Sequence, residues 1–184
     1  MLRDLGLLVL RLVTGGLLAG HGSQKLFGWF GGYGLAGTAG WLESLGLRPG
    51  RLWARAAGGG EFGGGMLTAL GLFHPLGPII MMAPMVTAVR RAHWGKPIWV
   101  TEGGAELPVT NLAVATSLLL AGPGRLSLDR LLGIRLPSWV VGVAAGATAA
   151  GVAMAVIEQP ATPEGQAAAE QAPGQTATTT PASS

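Results

Sequence analysis

The chain has 184 residues, of which 49 % are hydrophobic and only 11 % are charged, with a formal net charge of +3. An average soluble domain carries roughly 25 % charged residues, so this composition excludes an ordinary water-soluble protein and indicates one that lies in a lipid bilayer. The basic residues form no single stripe, which argues against nucleic-acid binding. The absence of cysteine excludes disulfides and thiolate metal sites within the chain.

Five apolar runs follow one another, and each is predicted to be a transmembrane helix: residues 5–27, 56–73, 76–89, 107–122 and 137–157. The first run has Arg11 in its interior and no cleavage-type ending, so we predict a retained helix rather than a signal sequence. The last run is uncharged and long enough to cross roughly 30 Å of hydrocarbon. The three middle runs are shorter than the usual ~20 residues, so they must tilt or extend into their flanks.

Two other segments have distinct compositions. The connection between the first two runs contains Trp41 and Glu43 between glycines, which predicts a short helix at the membrane interface. Residues 158–184 are rich in alanine, threonine, proline and glutamine, and this composition predicts a disordered tail.

Polar side chains gather at one predicted membrane face. Successive helices alternate in direction, so the chain runs from side A, where residue 5 enters, to side B, where residue 27 leaves. Five candidates for one ligand-binding cluster fall at or near side B: His21, Lys25, Glu61, His93 and Glu106. Ionisable residues inside a membrane usually mark a ligand site or a pathway, so these residues are the predicted site.

Glu61 is central to that prediction. It lies among glycines, which let another helix approach closely while a carboxylate is carried at the contact. Lys25 and His21 are both at the right depth to compensate its charge, whereas Arg11 is roughly 20 Å lower. A plainer interpretation also stands, in which a buried ion pair sets helix register without chemistry.

The sequence offers little for a self-sufficient redox enzyme. It has three histidines, and His21 and His74 are too far apart in depth to be two axial ligands of one haem. His74 falls in a hairpin at side A and is interpreted as a loop residue. There is no nucleotide-binding fingerprint. We therefore predict no metal site and no covalently bound cofactor, and whether the chain is itself an enzyme is left open.

Several short motifs resemble the DoxX family of small bacterial membrane proteins. They are Leu10-Arg11-Leu12 followed by Gly15, Gly22 to Leu26, Gly60-Glu61, His93-Trp94, the segment 103–106, and Gly122-Pro123-Gly124-Arg125-Leu126-Ser127-Leu128-Asp129. The resemblance covers residues 3–133 and implies an all-α, four-helix transmembrane bundle. The predicted organisation is therefore a core at 1–133, a fifth transmembrane helix at 134–157 and the tail at 158–184.

The resemblance also implies a function. DoxX-like proteins resemble subunits of respiratory or sulfur-linked oxidoreductases that pass electrons to quinone, and related members are associated with thiol and oxidative-stress complexes. This implies a multi-pass protein of the bacterial inner membrane that binds a quinone-like ligand or anchors a peripheral oxidoreductase partner. A non-catalytic scaffold is the alternative, and a small transporter is less favoured because no inverted repeat is found. The excess of lysine and arginine on side B places that side in the cytoplasm.

Overall fold

The computed structural model describes residues 1–157, and in this part of the chain all regular secondary structure is helical. Its seven α-helices are α1 (Leu2–Phe27), α2 (Gly34–Ser44), α3 (Gly50–Leu70), α4 (Leu76–Arg91), α5 (Glu106–Ala121), α6 (Leu128–Leu132) and α7 (Ser138–Ile157), with short 3-10 turns at Trp29–Gly31 and Val100–Glu102. The prediction of an all-α protein is confirmed. The predicted tail, 158–184, lies outside the described residues.

Glycines set the packing of α1 against α3. A Cβ added to Gly15 would lie 2.6 Å from the Gly65 carbonyl oxygen, and one added to Gly22 would lie 2.6 Å from the Gly58 carbonyl oxygen. Cβ atoms do not approach backbone atoms so closely, so the two helices touch at positions where only hydrogen fits. This is the close approach that small residues at regular helical spacing permit. It also fixes the antiparallel register of the two helices.

Four long helices close a ring. In the described part of the chain α1 packs on α3, α3 on α4 and α4 on α5, and α5 returns to contact α1. The short helix α2 covers one end of this ring by packing on α1 and α3, and α7 lies along α4. Near its C-terminus, Ala155 is fully buried in a cluster with Ala39, Leu42, Leu45 and Leu47 of α2 and the turn after it. The last helix is therefore attached to the ring rather than separate from it.

The helices occupy the predicted runs, with shifted boundaries. The second run was predicted over 56–73, but α3 begins six residues earlier, at Gly50, and ends at Leu70. Residues between the first two runs include α2, which contains the predicted interfacial segment around Trp41. Sequence patterning located these helices because apolar runs bounded by Gly and Pro are the primary signal for them.

Two helices, α1 and α7, are long and apolar enough to cross a membrane by length and composition. Helix α5 is apolar but has 16 residues, which span about 24 Å at 1.5 Å per residue, and α4 is equally short. Helix α3 carries two arginines and Glu61 among its glycines, which lowers its hydropathy. The prediction of five crossings therefore stays a prediction.

Candidate functional site

An ion pair joins α1 to α3 near side B. The Lys25 ammonium contacts both oxygens of the Glu61 carboxylate. The Glu61 side chain is 4 % exposed and that of Lys25 is 28 % exposed, so the carboxylate is buried while the lysine stem reaches the surface. Sequence reasoning left Lys25 and His21 as alternative partners of Glu61, and the structure pairs it with Lys25.

The glycine contacts explain why this pair forms. Because Gly22 faces Gly58 at backbone distance, Lys25 lies one turn beyond the contact, and its Cβ would be 3.2 Å from a Cβ added at Gly58. The lysine stem therefore runs over a glycine and reaches Glu61, which lies one turn further along α3. A buried carboxylate without a cation would cost several kcal/mol, so this close packing is what makes Glu61 tolerable in the interior.

A cavity of about 120 Å³ borders the ion pair. Its wall is contributed by α1, α2, α3, α4 and α7, and it is mostly apolar. Its polar and aromatic lining side chains are those of Lys25, Thr38, Trp41, Trp53, Glu61, Thr87 and Arg91, and Gly151 of α7 also lies on the wall. A dry cavity of about 150 Å³ in another protein takes up benzene, so this volume suits one ring-sized group. The side chain of Trp53 adds an indole N–H that is buried and has no hydrogen-bond partner among the described residues.

The other three predicted site residues lie elsewhere. His21 is exposed, and its Nδ1 is 3.1 Å from the Gln24 side-chain oxygen. His93 Nδ1 is 2.7 Å from the Gly103 carbonyl oxygen, and the Glu106 carboxylate accepts a hydrogen bond of 2.9 Å from the Val100 N–H. The expected cluster of five is therefore divided, because only Lys25 and Glu61 meet. His93 and Glu106 instead make hydrogen bonds that stabilise the loop between α4 and α5.

A second polar cluster, at side A, was not identified from the sequence. Arg11 and Asp129 are both buried, at 3 % and 7 % exposure. Arg11 Nη2 donates a hydrogen bond to the Leu126 carbonyl oxygen. The Asp129 carboxylate accepts hydrogen bonds from the backbone N–H groups of Phe73 at 2.8 Å and His74 at 2.7 Å. The available signal was that each of two sequence motifs contains a charged residue, Arg11 in one and Asp129 in the other. No local sequence pattern indicates that these two residues lie in the same cluster.

His74, which lies in the hairpin between α3 and α4, belongs to the same cluster. Burial lowers the pKa of the His74 imidazole, and attraction to Asp129 and a hydrogen bond with the Leu119 backbone oppose that shift only in part. The ring is therefore neutral near pH 7. Within residues 1–157, no group of three or more His, Asp or Glu side chains is arranged to hold a metal ion.

Comparison with known proteins finds a matching family for part of the chain. The DoxX family model matches residues 6–94, the region that holds both members of the Lys25–Glu61 pair. The match ends before the motifs at 103–106 and 122–129, so those two motifs stay a resemblance. No curated protein and no solved structure matches the chain. The match over residues 6–94, together with the shared motifs inside it, identifies this part of the chain as a DoxX domain, from a family of membrane proteins.

Proposed function

We propose that this protein is the membrane subunit of a redox complex and that its cavity at side B binds the head group of a quinone-like ligand. The observation that carries the proposal is the pairing of Lys25 with the buried Glu61 on the wall of a largely apolar cavity of about 120 Å³. Ligand sites of this kind are concave and apolar, with a few polar groups that orient the ligand. The match to DoxX, a family of membrane proteins, supports a location in a membrane.

The residues on the cavity wall suit a ring that carries carbonyl groups. The Lys25 ammonium has three N–H bonds and no acceptor, and the buried Trp53 indole offers one more donor. Both would donate to acceptors, which a quinone carries as carbonyl oxygens. Glu61 holds the lysine in place and can exchange a proton with it. A bound quinone would supply the two-electron chemistry that this chain lacks, while the chain binds and orients it.

The proposal also covers the membrane arrangement. The ring of α1, α3, α4 and α5 would form a four-helix transmembrane bundle in the inner membrane, with α7 as a fifth crossing. Support comes from the outer face of α7, where Trp139, Val143 and Met154 are exposed and lipid would cover them favourably. Side B, which carries the cavity, would then face the cytoplasm because most lysines and arginines lie there.

The direct test is quinone retention. Protein purified in mild detergent is extracted with organic solvent, and the quinone recovered per chain is measured. Gly151 lies on the cavity wall, and a Cβ added there meets nothing within 4 Å. Gly151→Leu, which adds side-chain volume at this position of the wall, should therefore weaken binding at least about tenfold, which is 1.4 kcal/mol.

Gly146→Leu is the matched control. A Cβ at Gly146 also meets nothing within 4 Å, but Gly146 is on the exposed face of the same helix and is not part of the cavity wall. It should leave quinone retention unchanged. If neither extracted nor added short-chain quinone is bound by the unmodified protein, the proposal is wrong, and the scaffold interpretation of the ion pair takes its place.

A further inference from the structure

The cluster at side A contains a charged group whose hydrogen bonds are incomplete. Arg11 is 3 % exposed, and Nη2 of its guanidinium donates a hydrogen bond to the Leu126 carbonyl oxygen. The Nε and Nη1 atoms are buried and have no partner among the described residues. A buried donor without an acceptor costs about 1 to 3 kcal/mol, and more when the group is charged. Two such nitrogens on one side chain therefore require an acceptor.

A small void lies beside this guanidinium. Its volume is about 10 Å³, which is close to the space that one water molecule needs. Besides Arg11, the wall includes Thr68, Gly71, His74 and Leu118. The Thr68 hydroxyl is buried and donates to the Met81 sulfur at 3.4 Å, which leaves its oxygen lone pairs available.

We propose that this void is a binding site for one water molecule, held by Arg11 Nε and Nη1 and by the Thr68 hydroxyl oxygen. The water accepts from the guanidinium and donates to Thr68, so it makes the two to four hydrogen bonds typical of buried water. It thereby joins α1 to α3 at the end of the ring opposite the cavity. The proposal does not depend on quinone binding.

Charge favours water over an anion. Asp129 lies within electrostatic range of Arg11 and already balances its charge. The Asp129 oxygens are held by the backbone N–H groups of Phe73 and His74 and do not fill the void. His74 is neutral near pH 7, so the cluster has no surplus positive charge for chloride to neutralise. The void is also small for chloride, which is larger than water.

The solution test is X-ray hydroxyl-radical footprinting of the full chain in detergent, which oxidises side chains next to bound water even when they are buried. Leu118 is 1 % exposed and borders the void, whereas Leu18 is 2 % exposed and does not. We expect at least about fivefold more oxidation at Leu118 than at Leu18. Thr68→Val keeps the side-chain shape, removes the acceptor and should reduce the ratio toward one. Equal oxidation of both leucines in the unmodified protein would overturn the proposal.

A second measurement identifies the occupant independently of how the variants fold. A density map at about 2 Å should show one peak at hydrogen-bond distance, about 2.7 to 3.2 Å, from Arg11 Nε or Nη1. Replacing chloride by gluconate should leave the thermal midpoint unchanged. A map without that peak overturns the site. A chloride-specific rise in the midpoint that Arg11→Met abolishes overturns the assignment to water in favour of an anion.

Discussion

The Lys25–Glu61 pair makes a quantitative prediction about stability. Lys25→Met would leave a carboxylate that is 4 % exposed without its cation, at a cost of about 3 to 5 kcal/mol in the free energy of unfolding. Glu61→Gln would leave a lysine that is 28 % exposed and can turn toward lipid head groups or water, at a cost of about 1 to 2 kcal/mol. The two expected costs differ because Glu61 is more deeply buried than Lys25.

The double variant separates the pair from its surroundings. With both charges removed, only one buried amide is left without a partner, which costs about 1 to 3 kcal/mol. We therefore expect the double variant to lose about 3 to 4 kcal/mol less than the two single changes added together, a coupling at the upper end of that measured for residues in contact. The assay is unfolding by SDS titration in mixed micelles, followed by circular dichroism of purified protein.

The control cycle uses the alternative partner that sequence reasoning allowed. His21 is exposed and contacts Gln24 instead of Glu61. His21→Leu combined with Glu61→Gln should therefore be additive within about 0.5 kcal/mol. Additivity in the Lys25 cycle, or a larger coupling in the His21 cycle than in the Lys25 cycle, would refute the assignment of the pair.

Two further predictions concern the packing of α1 and the hairpin cluster. Gly22→Ala should destabilise the protein by several kcal/mol because the new methyl group would lie 2.6 Å from the Gly58 carbonyl oxygen, whereas Gly20→Ala, where nothing lies within 4 Å, should be neutral or stabilise by about 0.5 kcal/mol. Equal midpoints in the same titration would contradict the close approach. The pKa of His74 is lowered in the folded protein. Its contribution to the free energy of unfolding is therefore complete above the pKa of the unfolded chain, near 6.5, and is lost as the pH falls below that value. His74→Gln should therefore flatten the fall in the free energy of unfolding between pH 7 and 5, and an unchanged slope would contradict this contribution of His74.

Some of this architecture follows from local sequence. The apolar runs locate the long helices, and the glycines around Glu61 indicate a close helix contact. Both signals depend on residues that are only a few positions apart in the sequence. The depth of Glu61 relative to Lys25, His21 and Arg11 also follows from the sequence, since helical rise converts residue number into distance along the helix axis. That reasoning reduced the partners of Glu61 to two residues.

The tertiary structure decided the rest. Depth says nothing about direction around a helix axis, and it was the contact of Gly22 with Gly58 that turned Lys25 toward Glu61 while His21 points outward. Gly151, which is far along the chain from the ion pair, contributes to the wall of the cavity. Arg11 and Asp129 are likewise brought together only because the segment after α5 folds back over the α3–α4 hairpin. Helical periodicity is a local property, whereas the pairing of distant buried charges depends on how the helices and loops pack, and no local pattern encodes that.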